Sequence, residues 1–246
     1  MISVTSNGMI KHFGSVSSTN DIIKEMANGG APEGSVVIAD EQTNGRGRLG
    51  RSFMSPGGTG LYMSILLRPE LSASDALLIT TAAATAVAKA IEKHTGKATC
   101  IKWVNDVFLN GKKVCGILTE GKVSPDGTLE YAVLGIGVNL KEPKDGFGEL
   151  SNIAGAIFED EKVDRDTVAN DILENFFGYY QSIETKPHYS DYIARDMIGG
   201  KNVTVYRAGE PLYDAKVLGI SEDFSLVIDH DGKKENLASG EVSVRI

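Results

Sequence analysis

The sequence predicts an α+β protein in which a mixed β-sheet with helices is followed by a small β-barrel. A chain of 246 residues can form one large domain, or one large and one small domain. Helix-like and strand-like segments alternate up to about residue 197, whereas short strands separated by glycines follow from residue 199. This change of pattern predicts one domain over residues 1–197 and a second over residues 198–246.

The elements of the large domain are predicted from periodicity, turn residues and helix caps. Strands are predicted over residues 9–16, 35–40, 60–67, 98–103, 107–109, 112–120 and 128–139. Asn110-Gly111 between two of these runs is a strong hairpin signal. Helices are predicted over residues 21–27, 75–93, 151–157 and 164–185, the last capped by Asp164. Small residues on nearly every face of the 75–93 helix indicate close packing onto the sheet.

The small domain is predicted from four short runs in which apolar and polar residues alternate. The runs cover residues 203–206, 215–218, 226–228 and 242–244, and they are separated by Gly209, Gly219, Gly232 and Gly240. Short strands at this spacing are typical of a barrel of about fifty residues.

Composition and charge argue against several classes of protein. A net charge of −8 and a pI near 5.1 disfavour general affinity for nucleic acid. No apolar run is expected to reach the length of a membrane helix, and residues 1–4 are not expected to begin a signal peptide. Cys100 and Cys115 lie in apolar runs without zinc-ligand spacing. Both are predicted to be buried, reduced thiols of a cytoplasmic protein.

The most informative stretch of the sequence is residues 41–51. Positions 45–51 hold three glycines and three arginines, although the chain as a whole is acidic. Glycine lets backbone N–H groups approach a ligand, and arginine donates to carboxylate and phosphate oxygens. We interpret this segment as an anion-binding loop, with a mobile, solvated basic loop as the alternative.

The spacing Gly45-x-Gly47-x-x-Gly50 matches a dinucleotide-binding fingerprint, but its surroundings do not. That fingerprint needs a strand before the loop and a helix that opens within it. Here an irregular stretch over residues 51–58 and another strand follow the loop. A kinase-type loop is excluded as well, because neither His-Arg-Asp nor Asp-Phe-Gly occurs downstream.

A second basic centre is predicted at Lys102, beside the single tryptophan, Trp103. Spacing alone is equally consistent with a strand-edge lysine and with a buried cation that holds a ligand. A sheet that gathers Gln42, Arg46 and Lys102 could hold a carboxylate and a phosphate side by side. Acyl-adenylate formation from ATP needs this arrangement, because two anions must be brought together and their developing charge stabilised.

Six motifs then occur in a fixed order along the chain. They are Ser-Ser-Thr-Asn (17–20), Glu-Gln-Thr-Asn-Gly-Arg-Gly-Arg-Leu-Gly-Arg (41–51), Ser-Pro-Gly-Gly-Thr-Gly-Leu-Tyr-Met-Ser (55–64), Lys-Trp-Val-Asn-Asp (102–106), Gly-Lys-Lys-Val-Cys-Gly-Ile-Leu (111–118) and Gly-Ile-Gly-Val-Asn (135–139). Together they resemble the motifs of biotin protein ligases, the biotin–[acetyl-CoA carboxylase] ligases. Residues 238–245 resemble the end of that family's small barrel. The resemblance covers nearly the whole chain and implies a catalytic domain followed by an SH3-like barrel.

The resemblance also implies an activity. The expected enzyme joins biotin and ATP into biotinyl-5'-AMP, releases pyrophosphate, and transfers biotin to a lysine of a biotin carboxyl carrier protein or domain. Mg²⁺ would accompany ATP, and no protein metal site is expected. We expect a cytoplasmic location, no membrane and no specific DNA binding, and we leave a homodimer open. Because seventeen residues precede Ser18, we expect the short type without an N-terminal helix-turn-helix domain.

Residue roles follow from the matching motifs. The resemblance implies catalysis by Lys102, Arg46 and Arg48. It implies biotin binding by Ser18, Thr19, Asn20, Gln42, Arg46, Gly47, Arg48, Lys102, Gly116 and Ile117. It implies nucleotide binding by Arg48, Arg51, Phe53, Lys102, Asn105 and Asn139. In this scheme the basic loop closes over biotin and the adenylate.

Three residues depart from the family pattern. Val104 stands where proline is usual, Phe53 where many members have a tryptophan that stacks on adenine, and Cys115 where a small residue is usual.

A lipoate ligase of the same fold is the nearer alternative, although the basic loop and the Lys-Trp-x-Asn-Asp spacing favour biotin. A nucleic-acid-binding regulator is the second alternative, and the acidic balance of the chain argues against it.

Overall fold

The computed structural model describes residues 8–159, 164–207, 209–238 and 242–245. Over these ranges the chain forms a seven-stranded mixed sheet with helices and a separate five-stranded antiparallel sheet. The predicted α+β fold class is confirmed. Residues 1–4 and the turn at Gly240, on which two predictions rested, lie outside the described residues, as does part of the 238–245 motif. The boundary between residues 197 and 198 stays a prediction.

The large sheet contains the first seven strands of the chain. They are β1 (Ile10–Val16), β2 (Val36–Gln42), β3 (Gly60–Leu67), β4 (Thr99–Lys102), β5 (Asp106–Leu109), β6 (Lys112–Val123) and β7 (Leu129–Asn139), arranged in the order β1-β2-β3-β7-β6-β5-β4. Strands β1 and β2 are parallel, and each other neighbouring pair is antiparallel. Within the described residues, four α-helices accompany the sheet: α1 (Thr19–Asn28), α2 (Ala76–Thr95), α3 (Arg165–Tyr180) and α4 (Tyr189–Ile193).

Helix α2 is the centre of the hydrophobic core. Its alanines and valine from Ala82 to Ala88 are fully buried, and the helix packs against the sheet and α3. Small side chains allow this close approach, as the sequence predicted. Residues 73–95 are long and apolar enough to span a membrane, contrary to the expectation that no run would be. However, 72% of that window is buried inside the protein, as in the core helix of a globular domain.

One predicted helix is wrong, and another is shorter than predicted. Residues 151–157 form turns, and Ala154 makes a parallel bridge with Lys113. The backbone of Lys113 lies beyond the end of β7, so residues 153–155 supply its hydrogen-bond partners: Lys113 N donates to Ile153 O at 2.7 Å. Helix α3 ends at Tyr180 rather than near residue 185, but its predicted cap is present. The side chain of Asp164 accepts from Asp166 N at 3.1 Å.

The five-stranded sheet forms the second unit of the fold. Its strands are β8 (Asn202–Arg207), β9 (Glu210–Ile220), β10 (Leu226–His230), β11 (Lys233–Leu237) and β12 (Val242–Arg245), in the order β11-β10-β9-β8-β12. Trp103 and Val104 from the large domain are buried in its core. The indole Nε1 of Trp103 donates to the backbone oxygen of Phe224 at 2.9 Å. The turn that follows Lys102 is therefore anchored in the small sheet.

The two cysteines differ in exposure. Cys115 is buried, as predicted, whereas Cys100 is exposed. Strand β4 is the edge strand of the large sheet, and its burial alternates along the strand, so Cys100 points away from the core. The prediction that both thiols are buried is thus wrong for Cys100.

Candidate active site

All but one of the site residues predicted from the sequence line two adjoining cavities on the large sheet. We call the first cavity the polar slot; it is lined by Ser18, Thr19, Asn20, Gln42, Arg46, Phe53, Met63, Gly116, Leu118, Gly135, Ile136 and Gly137. We call the second cavity the cationic pocket; it is lined by residues 46–49, 51–53, 102, 103, 105, 106, 113, 116, 117 and 244. Arg46, Phe53 and Gly116 line both cavities, so the two share a wall.

Helix α1 begins at the polar slot and brings three polar residues to it. Ser18, Thr19 and Asn20 are each 3% exposed. The backbone N and the Oγ1 of Thr19 donate to Oε1 of Gln42 at 2.9 and 3.1 Å, and Nε2 of Gln42 donates to Oγ of Ser55 at 3.0 Å. These bonds fix the orientation of the Gln42 amide. The slot therefore offers pre-oriented donors and acceptors to a small polar head group.

Two glycines make one wall of the slot flat. Gly116 on β6 and Gly137 on β7 are direct cross-strand partners. The ring of Phe53 lies against both: a Cβ added at Gly137 would come within 2.5 Å of the ring, and one at Gly116 within 3.0 Å. A side chain at Gly135 would collide with the Asn20 amide. The absence of side chains at these three positions is what leaves room for the slot.

The basic loop, residues 44–52, folds back on itself between β2 and β3. Arg46 and Ser52 form an antiparallel bridge, and Phe53 N donates to Gly45 O at 2.8 Å. Leu49 has a left-handed backbone with φ of 56°. The loop holds a three-residue 3-10 turn over Arg48–Gly50 and leads into β3. No α-helix opens in this described part of the chain, which agrees with the exclusion of a Rossmann site.

Arg46 links the basic loop to the polar slot. Its Nη2 lies 2.6 Å from Oδ1 of Asp21 and 3.1 Å from Oε2 of Glu120. Its Nε is buried and, across the described ranges, has no hydrogen-bond partner. A buried donor without a partner is costly, so a ligand oxygen that accepted from this nitrogen would be stabilised.

More positive than negative side chains line the cationic pocket, although Asp21 and Glu120 just outside it pair with Arg46. Among the described residues that line it are five cations, namely Arg46, Arg48, Arg51, Lys102 and Lys113, and a single carboxylate, that of Asp106. Burial lowers the pKa of Lys102, and Asp106 offsets this in part. Burial also lowers the pKa of Arg48. Partly desolvated cations in this ratio favour an anionic ligand.

Lys102 and Asn105 lie at the two sides of the turn between β4 and β5. Within the described residues, the Lys102 ammonium makes no hydrogen bond or ion pair with protein. Nη1 of Arg48 donates to Oδ1 of Asn105 at 3.1 Å, and Nδ2 of Asn105 donates to Ile117 O at 2.9 Å. Asn105 thus holds the basic loop close to β6. The peptide bond between Trp103 and Val104 in this turn is cis.

Lys113 is a pocket residue that the sequence reasoning missed. Its Nζ lies 2.7 Å from Oδ1 of Asp106, and its side chain passes close to Gly116. Residues three apart on a regular strand face opposite ways, so Lys113 and Gly116 would not be expected to share a face. The register against β5 shifts here, because Cys115 pairs with Val107 whereas Lys113 pairs with Phe108. This β-bulge turns Lys113 toward the pocket.

Two predicted site residues are not in the expected places. Ile117 lines the cationic pocket rather than the polar slot, and most of it is buried in the core. Asn139 lines neither cavity; its Nδ2 donates to Gly155 O at 3.0 Å. The remaining predicted residues line one cavity or both.

The large sheet thus carries an arginine loop between a polar slot and a cationic pocket, an arrangement suited to a ligand with a polar head and an anionic group. The chain belongs to the biotin/lipoate A/B protein ligase family, whose model matches residues 13–139. The recognition of biotin-ligase motifs in the sequence is thereby confirmed at the level of the family.

The relatives of this chain include proteins named as ligases, some of them as biotin ligases. The chain is 42% identical over 173 residues to the bifunctional ligase/repressor BirA of Bacillus subtilis (strain 168), a match that covers 69% of this chain and 53% of that protein. It is 29% identical over 245 residues to the biotin–[acetyl-CoA-carboxylase] ligase of Mycobacterium tuberculosis, covering 92% and 85%. The chain thus spans about half the length of the Bacillus relative.

The fold matches that of a solved biotin ligase over nearly its full length. The biotin protein ligase from Aquifex aeolicus, in complex with biotin and ATP, superposes with a TM-score of 0.81 at 28% identity. The match covers 96% of this chain and 98% of the other. It includes the five-stranded sheet at the C-terminal end, in agreement with the predicted SH3-like barrel.

Proposed function

We propose that the protein is an ATP-dependent biotin protein ligase. It activates biotin as biotinyl-5'-AMP, releases pyrophosphate, and transfers biotin to a lysine of a biotin carboxyl carrier protein or domain. The observation that carries the proposal is the cationic pocket, with five cations and one carboxylate, beside a polar slot. The names of two bacterial relatives and of the Aquifex structure support biotin as the acid that occupies the slot.

In the first half-reaction a carboxylate must approach a phosphate. The polar head of biotin binds to Ser18, Thr19, Asn20 and Gln42, and its acyl tail points into the cationic pocket. A carboxylate oxygen then forms a bond to the α-phosphorus of ATP, and the bond to the β-phosphate oxygen breaks. Lys102 and its neighbours lower the repulsion between the two anions and stabilise the charge that develops.

In the second half-reaction the loop keeps the adenylate in place until the carrier arrives. The neutral amine of the carrier lysine attacks the acyl carbonyl carbon, the bond to the phosphate oxygen breaks, and AMP leaves. No covalent enzyme intermediate is needed. Arg46, Gly47 and Arg48 cover the adenylate during this step.

We assign the nucleotide to the cationic pocket. Arg48, Arg51 and Lys102 contact its phosphates, Asn105 supports Arg48, and Phe53 offers an aromatic face. Asn139 acts indirectly, because it holds Gly155, whose backbone N donates to Lys113 O at 2.9 Å.

Mg²⁺ would accompany ATP, held mainly by phosphate oxygens and water, and would neutralise phosphate charge during transfer. The carboxylate of Asp106 in the cationic pocket is paired with Nζ of Lys113 at 2.7 Å. We therefore assign no protein ligand to this ion. We place the reaction in the cytoplasm, where ATP and carrier proteins are available. A homodimer and the absence of specific DNA binding stay predictions.

An ATP–pyrophosphate exchange assay tests the proposal. Labelled pyrophosphate should enter ATP when biotin is added and should not do so without it. Lipoate in place of biotin tests the nearer alternative, a lipoate ligase. Exchange that depends on lipoate and not on biotin, or exchange with neither acid, would contradict the proposal. A second arm with a carrier domain should give one biotin on one lysine.

A further inference from the structure

Glu120 lies on β6 and touches the elements on both sides of the polar slot without lining either cavity. Its Oε1 accepts from Nζ of Lys24 at 2.6 Å. Its Oε2 accepts from Nδ2 of Asn20 at 2.8 Å and from Nη2 of Arg46 at 3.1 Å. The side chain is 26% exposed. One carboxylate thus joins helix α1, the slot and the basic loop.

On the slot side, Glu120 determines how the Asn20 amide is oriented. Asn20 is buried, and its Oδ1 accepts from the hydroxyl of Ser64, which is itself fully buried. The two ends of a side-chain amide are opposite in hydrogen-bond character. A carboxylate accepts only from the NH₂ end, so the contact with Glu120 fixes the oxygen toward Ser64 and Gly135.

On the loop side, Glu120 and Asp21 together hold the Arg46 guanidinium. Both carboxylates bind Nη2 and leave the buried Nε of Arg46 without a protein partner in the described residues. The guanidinium is therefore held so that one donor stays available to a ligand. Burial opposes the charge of Glu120, but Lys24, Asn20 and Arg46 outweigh it and lower the pKa of this carboxyl group.

We propose that Glu120 is a positioning residue that links the orientation of Asn20 in the polar slot to the position of Arg46 in the basic loop. The inference rests on the proposed function, since it treats the slot as the biotin site. Loss of the carboxylate frees the amide and weakens the tether of the loop. Biotin should then bind more weakly, while the adenylation chemistry in the cationic pocket continues.

The test compares Glu120→Ala and Glu120→Gln with two matched variants. Asp21→Asn weakens the tether of Arg46 alone, and Lys24→Met removes the third partner of Glu120 without touching Asn20 or Arg46. Hydrogen exchange of residues 44–52 in the ligand-free protein reports on the tether. Titration calorimetry with biotin reports on the slot, and biotin-dependent pyrophosphate exchange separates KM from kcat.

Glu120→Ala should speed exchange in the loop and raise both the Kd and the KM for biotin about tenfold, the usual scale for a lost charge-assisted bond. Its kcat should stay within about threefold of that of the unaltered protein, which is a smaller effect than the loss of one charge-assisted bond. Glu120→Gln should show the same changes in smaller measure, which covers the case in which the alanine variant does not fold. Asp21→Asn should change the hydrogen exchange of residues 44–52 more than the affinity for biotin, and Lys24→Met should change neither.

Two results would overturn the proposal. One is a folded Glu120→Ala protein with unchanged loop exchange and unchanged affinity for biotin. The other is a Lys24→Met protein that reproduces the Glu120→Ala effects, because these would then belong to the surface ion pair. Loop exchange is measured without ligand or turnover. The proposed function itself would fail if the unaltered protein showed no biotin-dependent pyrophosphate exchange. That outcome is therefore separate from the hydrogen-exchange result.

Discussion

Lys102 and Lys113 bring the same charge to the cationic pocket, but only Lys113 is ion-paired with a described residue. Lys113 is paired with Asp106 at 2.7 Å. Lys102 has no protein partner in the described residues and a pKa lowered by burial. Asp106 offsets the free energy of desolvating Lys102 only in part, so a bound anion would recover more of it. We therefore expect Lys102 to respond more than Lys113 to a substrate anion.

Substitution of Lys102 by Met should remove most of the adenylation rate. Methionine keeps a similar length and an apolar stem, so the loss is mainly that of a preorganised cation. The expected cost is about 10²–10³ in biotin-dependent pyrophosphate release. Lys113→Met is the matched variant and should be less impaired. A Lys102→Met protein with a normal melting temperature and near-normal pyrophosphate release would contradict the assignment of Lys102 to adenylation.

Arg48→Gly should weaken retention of the adenylate more than binding of biotin. The change removes the contact with Asn105 that holds the loop to β6, and each charge-assisted bond is worth roughly 1.5–3 kcal/mol. Released biotinyl-5'-AMP should then label lysines of a bystander protein, detectable on a streptavidin blot. Arg48→Lys, which keeps the charge, is the control. Labelling that stays confined to the carrier lysine would show that Arg48 is not a gate.

At the scale of elements, the segments best predicted are those whose local signals agree with their surroundings. Asn110 and Gly111 both have positive φ, of 51° and 77°, as the hairpin signal required. Strand β11 was missed because its sequence, Lys-Lys-Glu-Asn-Leu, is exposed at four of five positions and shows no apolar alternation. The helix predicted at residues 151–157 failed because backbone pairing with Lys113 overrode local propensity.

The same reasoning explains what could be predicted of the site. The slot and loop residues lie in contiguous motifs and could be recognised from the sequence. Lys113 could not, since a bulge reverses the face it points to. Glu120 could not either, because its partners Asn20 and Arg46 are 100 and 74 residues away.

The basic loop should be mobile without ligand and ordered with it. Its glycines lower the cost of backbone motion, and its arginines repel one another until an anion binds. Hydrogen exchange of residues 44–52 should slow when biotin and ATP are added together. The exposed turn at residues 124–127 lines neither cavity and serves as an internal control. Unchanged exchange at residues 44–52 would count against a role in closure.

At the scale of the whole molecule, an aromatic cluster joins the two sheets. His188, fully buried, stacks on Phe224 with ring centroids 4.7 Å apart and planes 5° apart. Its Nε2 lies 2.9 Å from Oγ1 of Thr81 on α2. Tyr192 packs edge-on against Phe224 and donates to Val104 O at 3.2 Å. The turn after Lys102 is thus held by both units of the fold.

Burial lowers the pKa of His188 to about 4, although Asp191 opposes this slightly. Since the usual value is 6.5, the unfolded chain takes up this proton before the folded protein does. Stability is therefore full above pH 6.5 and falls as the pH drops toward 4. At a pH of about 5 the loss should be about 2 kcal/mol.

Urea unfolding at about pH 7 and about pH 5 measures this loss. His188→Phe keeps a ring against Phe224 but cannot titrate, so its free energy of unfolding should fall less over the same interval. Equal losses in the two proteins would show that His188 does not cause the pH dependence.

The contact between the two sheets also contains an intrinsic fluorophore. Trp103 is the only tryptophan of the chain, is 4% exposed, and donates to Phe224 across the two sheets. Its emission therefore reports on the contact between the turn after Lys102 and the small sheet, whereas far-ultraviolet circular dichroism reports on the backbone of both sheets. Coincident transitions by the two signals would mean that the sheets unfold as one cooperative unit. An earlier fluorescence transition would mean that the barrel detaches first and takes with it the support of Lys102.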